Sequence, residues 1–181
     1  MNLYHNEIFH IYNRGNNKQR LFFSDANYEY FLRKVKKHLM LYCDILAWCL
    51  MPNHFHFMIF IKEEEHVKLL SNGFQILLSS YTRAINRQES RVGSLFTQNS
   101  KSKPLTGAIG TNLYPTYCFN YIHFNPVAAG LTSEMKDWPY SSYRDYFEGR
   151  GGKLVNQSLA KGFIDFEIPE VPEEGMLKKI L

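Results

Sequence analysis

No apolar run in this sequence approaches the roughly 20 residues that a membrane-spanning helix needs. The opening residues, MNLYHNEIFH, lack a basic stretch followed by an apolar run, so they do not read as a secretory signal peptide. Cysteine is scarce and odd in number: Cys43, Cys49 and Cys118 are the three, and two of them sit inside apolar runs. That pattern favours buried free thiols in a reducing compartment over a disulfide. Charge of either sign is also limited. Twenty-one basic residues against 17 acidic ones leave a net +4, a mild excess compatible with nucleic acid and diagnostic of nothing. No internal repeat or low-complexity tract is present. These absences predict a soluble, cytoplasmic protein with no membrane partner.

What is present suffices for one domain. The 181 residues are 45% hydrophobic and 15% aromatic, enough for a core and too apolar for a disordered chain. EIFHIYNR (7–14) alternates, with Phe9, Ile11 and Asn13 on one face and His10, Tyr12 and Arg14 on the other. Gly15-Asn16-Asn17 closes this strand. Ser24 or Asp25 can cap a helix whose stripe is Tyr28, Phe31, Leu32, Val35 and Leu39. DILAWCLM (44–51) and HFHFMIFI (54–61) read as strands joined by Pro52-Asn53, hence an antiparallel hairpin. A second helix follows, carrying Leu70, Phe74, Leu77, Leu78, Tyr81 and Ile85, with Gly73 weakening it locally. LFTQNSK (95–101) is the expected fourth strand.

The resulting β-α-β-β-α-β order predicts a ferredoxin-like α+β fold, an antiparallel sheet with both helices on one face and the other face open. A further helix is expected over about 114–122, with a short one after Asn125. Residues 1–145 form the expected domain. Residues 146–181 form a tail without assigned role, extended or loosely packed past residue 160.

Strand alternation puts His54, His56, Met58 and Phe60 on one side of the third strand and Phe55, Phe57, Ile59 and Ile61 on the other. If the helices cover the Phe55 side, both histidines stand on the open face. Residues i and i+2 lie roughly 7 Å apart, a span that two imidazoles can close around one metal ion. A histidine pair on a half-exposed sheet face with no ligand is the competing reading, because HxH alone is a weak motif.

TYCFNYIHFNPVAAGL (116–131) holds the complementary chemistry. Tyr117, Tyr121 and Asn125 are spaced four apart, so a helix would line them up. A tyrosine can attack a phosphodiester and hold the product as phosphotyrosine. Its phenol ionises near pH 10, so a nearby cation would help. Two alternatives stay open here. These aromatics can be packing residues, and Asn125, which precedes Pro126, can be the N-cap of a new short helix.

Five segments, in order, resemble the HUH-type single-tyrosine transposases, in particular the REP-associated tyrosine transposases: HIYNRGNNKQRLFF (10–23), WCLMPNHFHFMI (48–59), YTRAINRQESRVGSLF (81–96), YIHFNPVAAGL (121–131) and WPYSSY (138–143). The likeness covers roughly residues 5–145. It implies a ferredoxin-like sheet and metal-dependent cleavage and rejoining of single-stranded DNA beside hairpins. It further implies that His54 and His56 are metal ligands around the hydrophobic Phe55. Tyr121 would be the nucleophile that becomes linked to a 5′-phosphate and frees a 3′-OH, and Asn125 the third ligand. Two imidazoles and an amide oxygen suit Mg²⁺ or Mn²⁺.

An enzyme of this kind must hold single-stranded DNA carrying a REP-like hairpin, as a monomer or homodimer. Candidate phosphate contacts are Arg14, Lys18, Arg20, Arg83, Arg87, Arg91, Lys101 and Lys103. Arg14, Lys101 and Lys103 flank the predicted open face most closely, and Tyr12 and His10 there can stack on bases. The main alternative function is a domesticated hairpin DNA- or RNA-binding module without cleavage. A hydrolytic phosphodiesterase, which would not need Tyr121, is the third.

Overall fold

The computed structural model describes residues 1–105 and 113–166. Strands β1 (Glu7–Arg14), β2 (Asp44–Met51), β3 (His54–Ile61) and β4 (Lys101–Pro104) form one sheet in the order β2-β3-β1-β4, every pair antiparallel. With α1 (Asp25–His38) and α2 (Glu64–Gln88) between them, this is the expected β-α-β-β-α-β arrangement. Among the described residues no helix is long and apolar enough to cross a membrane.

Both helices pack on one face. Phe31, Val35 and Leu39 from the first helical stripe meet Phe74, Leu77, Tyr81 and Ile85 from the second over Phe9, Ile11, Phe55, Phe57 and Ile59, all essentially buried. Tyr81 is admitted to this core because its hydroxyl donates to the Leu21 carbonyl at 2.9 Å. Gly73, a helix-weakening residue by propensity, has a packing reason. A Cβ there would come within 2.3 Å of the His38 carbonyl oxygen, where α2 crosses the end of α1.

The second face is not left open as expected. α3 (Leu113–Ala128) and α5 (Gln157–Ala160) lie against it. Leu46, Ala47, Cys49, Met51 and Met58 from the sheet pack there against Cys118, Phe119, Ile122, Ala160 and Ile164. Residues 161–166 therefore pack, with Phe163 and Phe166 against this second core, while the rest of the tail lies outside the described residues. Cys43, Cys49 and Cys118 are free and buried, as the sequence suggested.

Two local expectations change. The pairing with β1 does not run evenly through 95–101. Phe96 bridges Gly15, the chain then leaves the sheet at Gln98–Ser100, and β4 resumes at Lys101 opposite Tyr12. Asn13 causes the detour. Its side chain bonds Thr97 and Ser100, replacing ladder hydrogen bonds with side-chain ones. The second change is in α3, which runs unbroken through Asn125 and Pro126 rather than restarting there. The amide of Asn125 is thus not an N-cap; its Nδ2 donates back to the Tyr121 carbonyl at 2.7 Å.

The WPYSSY segment clasps the outer edge of β2. Leu50 N–H donates to the Tyr140 carbonyl at 2.8 Å, Ser142 N–H to the Trp48 carbonyl at 2.9 Å, and Trp48 N–H to Ser142 Oγ at 2.9 Å. Behind it, α4 (Tyr143–Phe147) places Asp145, whose buried carboxylate takes two bonds from Arg150, at 2.6 and 2.7 Å.

Candidate active site

The hairpin turn fixes the first ligand candidate. Pro52 O accepts from Leu21 N–H at 2.7 Å and Asn53 O from Gly15 N–H at 2.8 Å, so the Pro52-Asn53 turn is pinned from outside. Asn53 Oδ1 then lies 2.6 Å from His54 Nδ1. One step along β3, His56 is 3% exposed, and its Nδ1 lies 2.8 Å from His10 Nε2 on β1. The two β3 rings stand perpendicular with centroids 5.0 Å apart. Both therefore have Nδ1 engaged and Nε2 available, and His56 Nε2 is buried without a hydrogen-bond partner among the described residues.

Burial sets the charge state. It pulls His54 down to about 4, against the opposing pull of a hydrogen bond from Asn125, and holds His56 well below the ordinary histidine range, helped by His10 and His54. Both rings are neutral at pH 7 with lone pairs to offer.

α3 delivers the other half. Tyr121 reaches the histidines edge-on, its ring 5.5 Å from His56 and 6.0 Å from His10. Burial pushes its phenol up to about 12; the Asn125 contact opposes this, and Cys118, Tyr12 and Cys49 add to it. Asn125 thus touches both the ring of His54 and the phenol of Tyr121. The His54 contact favours the protonated ring, as an amide oxygen beside a ring nitrogen does. With Nδ2 turned to the helix backbone, Oδ1 is the atom left to face the histidines. Among the described residues no cluster of three or more His, Cys, Asp or Glu could hold a metal. The Asn125 amide, in contact with His54, is an oxygen donor that could join the pair on an ion. The orphaned His56 nitrogen and the oxygen-nitrogen donor set fit a Mg²⁺ or Mn²⁺ ion.

His54, His56 and Tyr121 open onto a cleft of about 590 Å³, lined also by Tyr12, Arg14, Lys18 and Lys101 and walled by Thr97, Gln98 and Asn99. Register explains the cations. Arg14 lies opposite His54, and Lys101 opposite Tyr12, which is itself opposite His56.

The other basic candidates separate from these. Arg83 lines a neighbouring groove on the α2 side, which shares Thr97 and Gln98 with the cleft. Arg87 is exposed on α2 and lines neither, and Lys103 pairs with His10 outside the cleft lining. Tyr117 packs against the second core, so of the two spaced tyrosines only Tyr121 lines the cleft.

Three participants escaped the sequence reading: Asn53 as a partner of His54, Asn13 as the anchor of the cleft wall, and His10 as a buried partner of His56 rather than an exposed base-stacking ring. For His10 a signal existed, since alternation already put it on the Tyr12 face of the strand that pairs with the histidines.

No family model matches the chain. It is similar to a putative REP-associated tyrosine transposase of Haemophilus influenzae, 23% identical over 109 residues, which are 55% of this chain and 58% of that protein. The chain thus spans little more than half the length of this curated relative. It also matches a solved structure of a REP-associated tyrosine transposase bound to a REP hairpin, with a TM-score of 0.64 and 20% identity over 96% of this chain and 98% of the other. In motif order and in fold, the proteins this chain is similar to are REP-associated tyrosine transposases.

Proposed function

We propose that the chain is a metal-dependent transposase that nicks and rejoins single-stranded DNA beside hairpins through a 5′-phosphotyrosine intermediate. The observation that carries this reading is the convergence of His54, His56 and Tyr121 on one basic cleft, with Asn125 in contact with both His54 and Tyr121. Such a set suits phosphoryl transfer to a tyrosine and has no evident use in simple packing.

His54, His56 and Asn125 would hold Mg²⁺ or Mn²⁺. The ion would supply Lewis-acid polarisation of the scissile phosphate and favour the ionised phenol, whose protein surroundings alone keep it protonated at pH 7. Arg14, Lys18 and Lys101 hold the flanking phosphates and bring the scissile one over Tyr121. Tyr121 Oη attacks phosphorus, its proton passing to solvent. The P–O3′ bond breaks and the departing 3′-oxygen is protonated. The 5′-phosphate now sits on Tyr121. Rejoining reverses the step: a 3′-hydroxyl attacks the phosphotyrosine, and the phenol is released. The phosphotyrosine conserves the phosphodiester energy, so no nucleoside triphosphate is consumed.

The test is a covalent adduct on a denaturing gel after incubation with Mn²⁺ and single-stranded DNA bearing the hairpin that flanks the gene. The adduct should disappear in Tyr121→Phe and in His54→Ala/His56→Ala. An adduct that survives Tyr121→Phe and fails in Tyr117→Phe would move the nucleophile. Hairpin binding with no adduct under any metal would leave a binding module.

A further inference from the structure

We propose that His10 is a positioning residue: its Nε2 accepts the Nδ1 hydrogen of His56 and so holds His56 in the one tautomer that presents a bare Nε2 to a divalent cation. The inference rests on the metal-site reading above. His10 is fully buried on β1, one strand away from the histidine pair and diagonal to His56 in the register. The two nitrogens are 2.8 Å apart and the rings nearly parallel, 17° between planes at 5.1 Å. Tyr12 stacks beside both rings, 4.9 Å from His10 and 5.8 Å from His56, which restrains the pair.

Two neutral imidazoles at this distance share one hydrogen. If His10 gives it, His56 carries its own hydrogen on Nε2. That N–H would be a buried donor with no acceptor among the described residues, which is costly. If His56 gives it, Nε2 is a lone pair awaiting a cation. The second arrangement puts the remaining hydrogen on His10 Nδ1 instead, and it alone leaves Nε2 of His56 bare, so a cation at that nitrogen selects it. His54 has the equivalent device in Asn53 Oδ1, supplied by the turn rather than by a neighbouring strand. Using an imidazole in place of a carboxylate has an electrostatic consequence. A neutral partner orients the ligand without offsetting the ion's charge, which is left to act on phosphate.

The experiment uses Mn²⁺ alone as probe on the full chain. Its affinity is measured by calorimetry or by the electron paramagnetic resonance of free Mn²⁺, and the His56 tautomer by ¹⁵N NMR with diamagnetic Mg²⁺ in its place. Expected are a hydrogen on His56 Nδ1 in the wild type and 10- to 100-fold weaker Mn²⁺ binding in His10→Leu. His10→Gln, whose amide oxygen can accept the same hydrogen, should recover most of that loss. A wild-type His56 with its hydrogen on Nε2 overturns the proposal, whether or not His10→Leu folds. So does Mn²⁺ affinity that is unchanged in both variants. Mn²⁺ binding that persists in His54→Ala/His56→Ala overturns the metal site itself, an outcome distinct from the other two.

Discussion

At the scale of residues, His123 shows how one side chain of the YIHFNP motif serves the fold rather than the chemistry. It is buried, and its Nε2 lies 2.7 Å from Ser142 Oγ, the same hydroxyl that accepts from Trp48 on β2. Burial pushes its pKa down to about 3, against a backbone contact at Phe119. A folded value below the unfolded one of about 6.5 means that the unfolded chain takes up the proton first. Stability from this ring is complete above about pH 6.5 and is lost as pH falls towards 3. At pH 5 the loss should be about 2 kcal/mol. Denaturation at pH 7 and pH 5 would reveal it, and His123→Gln should remove that part of the difference. His54 and His56 shift in the same direction and add to the difference between the two pH values. Equal wild-type stability at both pH values would contradict the assignment. Individual residues were legible where parity or spacing decides geometry, as for His54 and His56 on one face and Tyr121 with Asn125 one turn on. His10 was misread because an alternating strand shows which face a ring takes but not what will cover it.

At the scale of elements, α1 and α2 were readable because each has one apolar stripe and one charged side. α3 was not. Thr116, Cys118, Phe119, Tyr121, Ile122 and His123 are all buried, so it is apolar nearly all round and its pattern names no single face. Pro126 hid its length as well. Proline removes one N–H and disfavours helix at the residue before it, yet here only the last turn is affected and the helix continues. The fourth strand was displaced because Asn13, a polar residue inside an otherwise apolar face, draws Thr97 and Ser100 to itself. Element packing also yields a test. Alanine favours helix over glycine by about 1 kcal/mol, so propensity alone predicts that Gly73→Ala stabilises α2. The added Cβ would meet the His38 carbonyl at 2.3 Å, however, and backbone cannot swing aside as a side chain can. The helices must separate, and we expect a net loss of about 1–3 kcal/mol in urea denaturation. A stabilised variant would contradict the close crossing.

At the scale of the whole molecule, the candidate site occupies one end of one sheet face. The β-α-β-β-α-β order was legible because strands and helices have distinct periods, and it fixed which face the two long helices cover. The cover on the second face was not, because its partners come from residues 113–166, far along the chain and without alternation. The cleft that remains carries Arg14, Lys18 and Lys101, while Arg87 projects elsewhere. Three phosphate contacts on single-stranded DNA should give a log–log salt slope of about −2. Lys18→Ala and Lys101→Ala should each reduce its magnitude by about 0.7, and Arg87→Ala should leave it alone. Binding titrations at several salt concentrations would show this, and an Arg87 effect equal to the lysines' would move the DNA path. The clasp of residues 140–142 on β2 has one more consequence. A bare outer strand is a template on which a second copy can add its own strand, and so begin edge-to-edge association. Here Tyr140, Ser142 and the Trp138 indole occupy the donors and acceptors of Trp48 and Leu50, and Val155 bridges Ile45 farther along. The WPYSSY motif therefore acts as a guard on solubility at the β2 edge, level with His54 and His56 and one strand away from them, so that pairing of a second copy is blocked beside the cleft without covering the cleft itself.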